Sequence, residues 1–182
     1  SCTYLWFCNE DYARLGSKVK CNPSVKTPND REALIKGLAE GVIDTIGSDH
    51  APHLLSEKDA TYFKAPSGLP TIQQSLPALL TIASRNEIPL TQVAKAFSEK
   101  AADMYGLKRG KIQEGYAADL VVFDLNKEFT VKAEDLYGKC GWSPYEGETL
   151  KGYIETVLVN GETALKDGKV TAEKAGRLLT FN

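Results

Sequence analysis

The hydrophobic pattern changes period near Gly106, and that change limits the fold more than any other feature of the chain. Before it, apolar residues recur at helical spacing between short apolar runs. After it, β-branched runs are separated by Gly-containing pairs. Such a chain reads as an α/β part followed by a small antiparallel β part. With 182 residues, 42% of them hydrophobic, it can build a core in one or two units. There is no internal repeat and no low-complexity segment.

Local signals fill in the elements. Thr27-Pro28-Asn29-Asp30 predicts a helix start: Thr27 can cap, Pro28 suits the first helical position, and Asp30 favours the positive helix end. Leu34, Ile35 and Leu38 then share a face, and Gly41 is a stop. Val42–Ile46 reads as a short strand, and Pro52 keeps the segment after it out of a ladder. One helix is expected from about Thr71 to Ser84, kinked at Pro77, and another from about Thr91 to Tyr105, broken near Ser98. Beyond Gly106, strands are expected at Ala118–Asp124 and Phe129–Val131. A hairpin of Thr156–Val159 and Thr163–Leu165 closes on Asn160-Gly161, and Asp167-Gly168 turns into Lys169–Thr171.

Charge removes some functions. Lys and Arg number 22 against 24 Asp and Glu, a net charge of -2, which argues against a nucleic-acid or anionic-membrane binder. No apolar run approaches the ~20 residues that span a bilayer. Without a secretory signal at Ser1, a cytoplasmic location is expected, with Cys2, Cys8, Cys21 and Cys140 as reduced thiols. A start at Ser1 reads as processed, or as cut from something longer. Tyr4, Trp6 and Phe7 are expected in the core, Lys108-Arg109-Gly110-Lys111 in a solvated loop, and Asp119 in a structural role at the start of its strand.

The chemistry concentrates in one place. His50 and His53, the two histidines of the chain, lie within four residues of Asp49, just after the expected strand. Catalytic groups of α/β folds gather at such strand ends. Carboxylate and imidazole ligate zinc-like ions and shuttle protons. The plainer alternative is that Asp49 caps a turn and the histidines pack against it. Pro52 rules out a helical metal pair, so the two histidines are expected to differ in role.

Gly47-Ser48-Asp49-His50-Ala51-Pro52-His53 resembles the (S/T)-D-H-A-P-H signature of the dihydroorotases, within the cyclic amidohydrolase superfamily. Lys20–Thr27 resembles the segment with their substrate-binding Asn, and Lys64–Pro70 the loop whose main chain meets substrate. Gly110–Leu120, Trp142–Gly147 and Val159–Gly161 resemble the superfamily's return strand and C-terminal tail. The six matches follow the family's order over nearly the whole chain.

The resemblance implies the C-terminal part of a metal-dependent (β/α)8 TIM barrel over residues 1–107, followed by strands of a small β-sandwich over 108–182. It implies interconversion of N-carbamoyl-L-aspartate and L-dihydroorotate, in pyrimidine biosynthesis, with a binuclear zinc site. Asp49 would be both a metal ligand and the general base and acid. Asn22, His53 and the main chain at Gly68 would bind substrate, and His50 would support the loop. Allantoinases and hydantoinases tend to carry another residue where Asn22 stands, so Asn22 favours dihydroorotase. The family's His-x-His pair, bridging Lys and further His ligands have no counterpart here; Thr3 and Tyr4 stand near where relatives place one such His. This chain alone is therefore expected to hold no metal tightly and to hydrolyse nothing, and, with its barrel edges open, to dimerise, rearrange or be only marginally stable. Two alternatives remain open: a non-catalytic dihydroorotase-like assembly partner of aspartate carbamoyltransferase, and an allantoinase or hydantoinase.

Overall fold

The computed structural model describes residues 1–171 and 175–179. Residues 172–174 and 180–182, within the expected 108–182 unit, lie outside the described residues. The N-terminal part is helical. Short helices α1 (Cys2–Trp6) and α2 (Tyr12–Leu15) precede α3 (Pro28–Ala39), and α4 (Leu55–Lys58) is a single turn. The long α5 (Ile72–Arg85) is followed by α6 (Leu90–Ala94), a π-helical turn at Lys95–Glu99, and α7 (Lys100–Met104).

The start of α3 follows the expected chemistry. The Thr27 hydroxyl accepts from Asp30 N at 3.3 Å, and the Asp30 carboxylate accepts from Thr27 N at 3.0 Å. A bond donated by the Thr27 hydroxyl to the Asp30 carboxylate, and then the one from Thr27 N, lower the Asp30 pKa. Thr27→Ala should cost about 1 kcal/mol, as N-cap losses do, measured by chemical denaturation; an unchanged midpoint would show that the cap is dispensable. Only Leu38 of the expected apolar face is fully buried; Ile35 is partly covered and Leu34 is 39% exposed. Helix α5 runs on through Pro77, and the break expected near Ser98 is the π-helical turn.

One expectation is corrected. Val42–Ile46 forms no strand among the described residues. It is tied instead by Ile46 N to Ala96 O at 2.8 Å. A parallel strand needs neighbours on its edges, and the single parallel contact described is an isolated bridge between His50 and Leu69.

The C-terminal part is an antiparallel sheet in the order β1 (Leu120–Thr130), β2 (Thr149–Val159), β3 (Glu162–Lys166), β4 (Lys169–Val170). The two strands expected at 118–124 and 129–131 are one strand, with the register shifting between Asp124 and Glu128. The expected hairpin closes on Asn160-Gly161, both at positive φ. Arg109 and Lys111 are pinned rather than free. Arg109 pairs with Asp119 and bonds Asn160 Oδ1 at 2.8 Å, while Lys111 meets Asp103 at 2.9 Å. Asp119 also accepts from Asn160 N at 2.7 Å, which locks the start of β1 to the hairpin.

Helix α5 joins the two parts. Leu79, Leu80, Ile82 and Ala83 pack with Cys2, Leu5, Leu38 and Val93, while Ala78 lies in a second cluster with Phe7, Val19, Cys21, Leu69, Tyr145 and Leu150. Where β2 crosses α5, Lys151 N donates to Thr81 Oγ1 at 2.8 Å. All four cysteines are thiols, and no described helix is long and apolar enough to cross a membrane.

Candidate active site

The loop after Ile46 carries the candidate residues, and the start of α5 holds it in place. His50 Nδ1 accepts from Thr71 N at 3.0 Å and Ile72 N at 3.2 Å, so it is unprotonated and any ring proton sits on Nε2. Thr71 Oγ1 donates to Ser48 O at 2.7 Å. The imidazole thus caps a helix, which is loop support and needs no ligand. Asp49, between these anchors, is exposed and sits at φ 52. Asp is among the few non-glycine residues that tolerate this left-handed region. Its carboxylate is therefore presented outward from a braced turn.

A second loop lies against the first. Ala51 N donates to Leu69 O at 3.1 Å, and Gly68 N donates to Lys20 O at 3.0 Å. Gly68 has φ 132, and a Cβ there would stand 2.6 Å from Ala51 O. No side chain fits at that crossing. His53 spans both loops, its Nε2 facing Ser67 O at 3.2 Å and its Nδ1 3.8 Å from Glu57. Trp142 Nε1 donates to His53 O at 2.8 Å, so the C-terminal part also grips this loop.

Asn22 is exposed on the adjoining segment, just after Lys20 and Cys21. The Tyr4 hydroxyl donates to Pro23 O at 2.7 Å. Burial first, and then the neighbouring charges of Cys21 and Asp49 among others, push the Tyr4 pKa up. Phe7 is buried in the core as expected, and Tyr4 and Trp6 pack partly buried against it, with the Tyr4 hydroxyl at its edge reaching Pro23 O. Burial chiefly, with Asp49 adding to it, also raises the Cys21 pKa. A largely apolar cavity of about 380 Å³ opens beside His50, lined also by Ile72, Tyr137, Cys140 and Trp142.

Residues 10–164 match the profile of the amidohydrolase family. The chain belongs to that family. Its curated relatives include the dihydroorotase of Halobacterium salinarum, 37% identical over 96% of this chain and 41% of the relative. The dihydroorotase of Methanosarcina acetivorans is 36% identical over 96% of this chain and 38% of its own length. Among solved structures, an L-hydantoinase (dihydropyrimidinase) from Arthrobacter aurescens aligns with a TM-score of 0.91 at 29% identity, covering 96% of this chain and 40% of that one. A D-hydantoinase (dihydropyrimidinase) from Thermus sp. aligns at 0.82 and 30%, covering 87% of this chain and 36% of that one. The chain thus spans about two fifths of the curated relatives it matches.

Amidohydrolases are metal-dependent as a rule. Among the described residues, no group of three or more His, Cys, Asp or Glu could hold an ion. Asp49 offers one carboxylate, whereas catalytic zinc usually takes three protein ligands, and both histidine rings are engaged with the main chain. These donors do not by themselves make a metal centre.

Proposed function

We propose that this chain is the C-terminal part of a dihydroorotase, a metal-dependent cyclic amidohydrolase that interconverts L-dihydroorotate and N-carbamoyl-L-aspartate. Residues 1–107 would be its share of a (β/α)8 barrel and 108–182 its share of a small β-sandwich. The observation that carries this reading is the exposed Asp49 carboxylate on its braced turn, beside the exposed Asn22 and the glycine-only crossing at Gly68. That arrangement is supported by relatives named dihydroorotase at 36–37% identity.

In this reading Asp49 accepts a proton from the attacking water and returns it to the departing ring nitrogen. Ring closure runs the same transfer backwards. Asn22 offers an amide that both donates to and accepts from an imide-like ring edge. The Gly68 turn presents main chain without a side chain in the way. His53 holds the two loops together through Nε2 and would bind the substrate carboxylate or ring. The zinc of this reading would need ligands from elsewhere in the full-length protein, with Asp49 supplying one.

A second reading, a non-catalytic assembly partner of aspartate carbamoyltransferase, is favoured by Thr3 and Tyr4, which stand near where the resemblance calls for a histidine ligand. The hydantoinase structures favour a third. One assay separates the three: the full-length protein against dihydroorotate, hydantoin, dihydrouracil and allantoin. Dihydroorotate should be the preferred substrate by at least about a hundredfold in kcat/KM. Preference for hydantoin or allantoin would move the assignment to those enzymes. No turnover of any ring would leave the assembly reading.

A further inference from the structure

Lys58, the last residue of α4, has no solvent exposure. No ion pair among the described residues includes it. Its Nζ instead donates to three main-chain carbonyls: Lys20 O at 3.1 Å, Pro66 O at 2.9 Å and Gly68 O at 3.0 Å. An ammonium has three donors, and all three are used. Burial pulls the Lys58 pKa down to about 8, opposed by the nearby Cys21 and reinforced by Lys20. Burying a charge without an anion is costly, so a lysine here calls for a reason beyond filling space.

The three carbonyls supply that reason. Lys20 lies two residues before Asn22, and Pro66 and Gly68 belong to the turn that crosses Ala51 at Gly68. The same Lys20 O accepts from Gly68 N, so one oxygen joins both loops and the ammonium. Lys20 answers in the other direction, its Nζ donating to Tyr62 O at 2.7 Å and Ala65 O at 2.6 Å. The Ser17 hydroxyl bonds Lys58 O and fixes the base of the side chain.

We propose that Lys58 is a positioning residue: its ammonium sets the spacing between the Asn22 segment and the Gly68 turn, the two surfaces that would hold the cyclic substrate. The substrate half of this statement rests on the dihydroorotase reading; the structural half does not. Methionine at this position fills the volume but leaves three carbonyls without their donor. Glutamine restores two N–H donors. The graded series is the signature of positioning, because simple filling of space would rank Met close to Lys.

The test has two arms. In the full-length protein, Lys58→Met should raise KM for dihydroorotate about tenfold with kcat within about threefold, and Lys58→Gln should fall between Met and wild type. An unchanged KM, or a loss confined to kcat, overturns the proposal. In this chain, two-dimensional amide spectra of Lys58→Gln should shift Cys21, Asn22, Ser67 and Gly68 while leaving Leu79–Ile82 in place. Unmoved Asn22 and Gly68 amides overturn it as well, and this arm needs only the Gln variant should Met not fold. A wild-type protein inactive on dihydroorotate would refute the functional reading alone; the amide shifts would then decide the role of Lys58.

Discussion

Asp49→Asn should lower kcat for dihydroorotate by about 10³-fold or more in the full-length protein, with KM within a few-fold of wild type. General acid–base groups contribute roughly 10²–10⁴-fold, and Asp49 is asked to serve both directions of the reaction. The substitution is clean on structural grounds. Asn has the shape of Asp and tolerates the left-handed backbone at φ 52 at least as well. The Asp49 side chain is exposed and makes no described hydrogen bond that the fold would miss. Thermal stability should therefore stay within about 0.5 kcal/mol of wild type, as exposed substitutions usually do. Loss of activity with retained stability is the expected pair of results. An Asn variant within tenfold of wild-type kcat would remove Asp49 from the chemistry and with it the mechanism given above. A variant that unfolds would show instead that the carboxylate braces the turn.

What the sequence disclosed, and what it concealed, follows from how local each signal is. The α3 cap and the Asn160-Gly161 hairpin rest on residues close in sequence, or on turns with one backbone solution. They were legible. Val42–Ile46 has the composition of a buried strand, but a strand exists only with partners, and composition carries no partner. His50 could be read as support because it is adjacent to Asp49, yet the atoms it caps are more than twenty residues away. Lys58 was invisible: a lone lysine in Leu-Ser-Glu-Lys reads as solvated, since lysine is almost never fully buried. Its three acceptors come from Lys20, Pro66 and Gly68, and no spacing rule links them. Tyr4 packs partly buried against the cluster that holds Phe7, while its hydroxyl reaches Pro23 O nineteen residues away, a contact that no spacing rule gives.

The C-terminal motif should prove a structural anchor rather than part of the chemistry, and Tyr145 offers the test. Its ring is completely buried, 5.1 Å from Phe7 and 5.6 Å from Trp6 between centroids, in the cluster that also holds Val19, Leu69 and Leu150. Around it, Ser143 Oγ donates to Gln74 of α5 and accepts from Tyr145 N, both at 3.2 Å, so the motif ties the C-terminal part to α5. Tyr145→Ala empties the centre of that cluster and should cost about 3–5 kcal/mol, the range for large aromatic truncations. Against a typical total of about 5–15 kcal/mol, that is a large share of the fold. The hydroxyl behaves oppositely. It is buried with no hydrogen-bond partner among the described residues, and burial holds its pKa well above the usual phenol value. An unsatisfied buried hydroxyl costs about 1–3 kcal/mol, so Tyr145→Phe should be neutral or stabilising by up to about 1 kcal/mol. Urea denaturation of the three proteins reads both effects at once. A Phe variant weaker by more than about 1 kcal/mol would mean that the hydroxyl has a partner after all. An Ala variant near wild type would mean that the two parts of the chain do not depend on this cluster. With the expected order, Phe at or above Tyr and Ala far below, the motif stabilises by packing, and the bond from Trp142 to His53 is how that packing reaches the loop that carries Asp49.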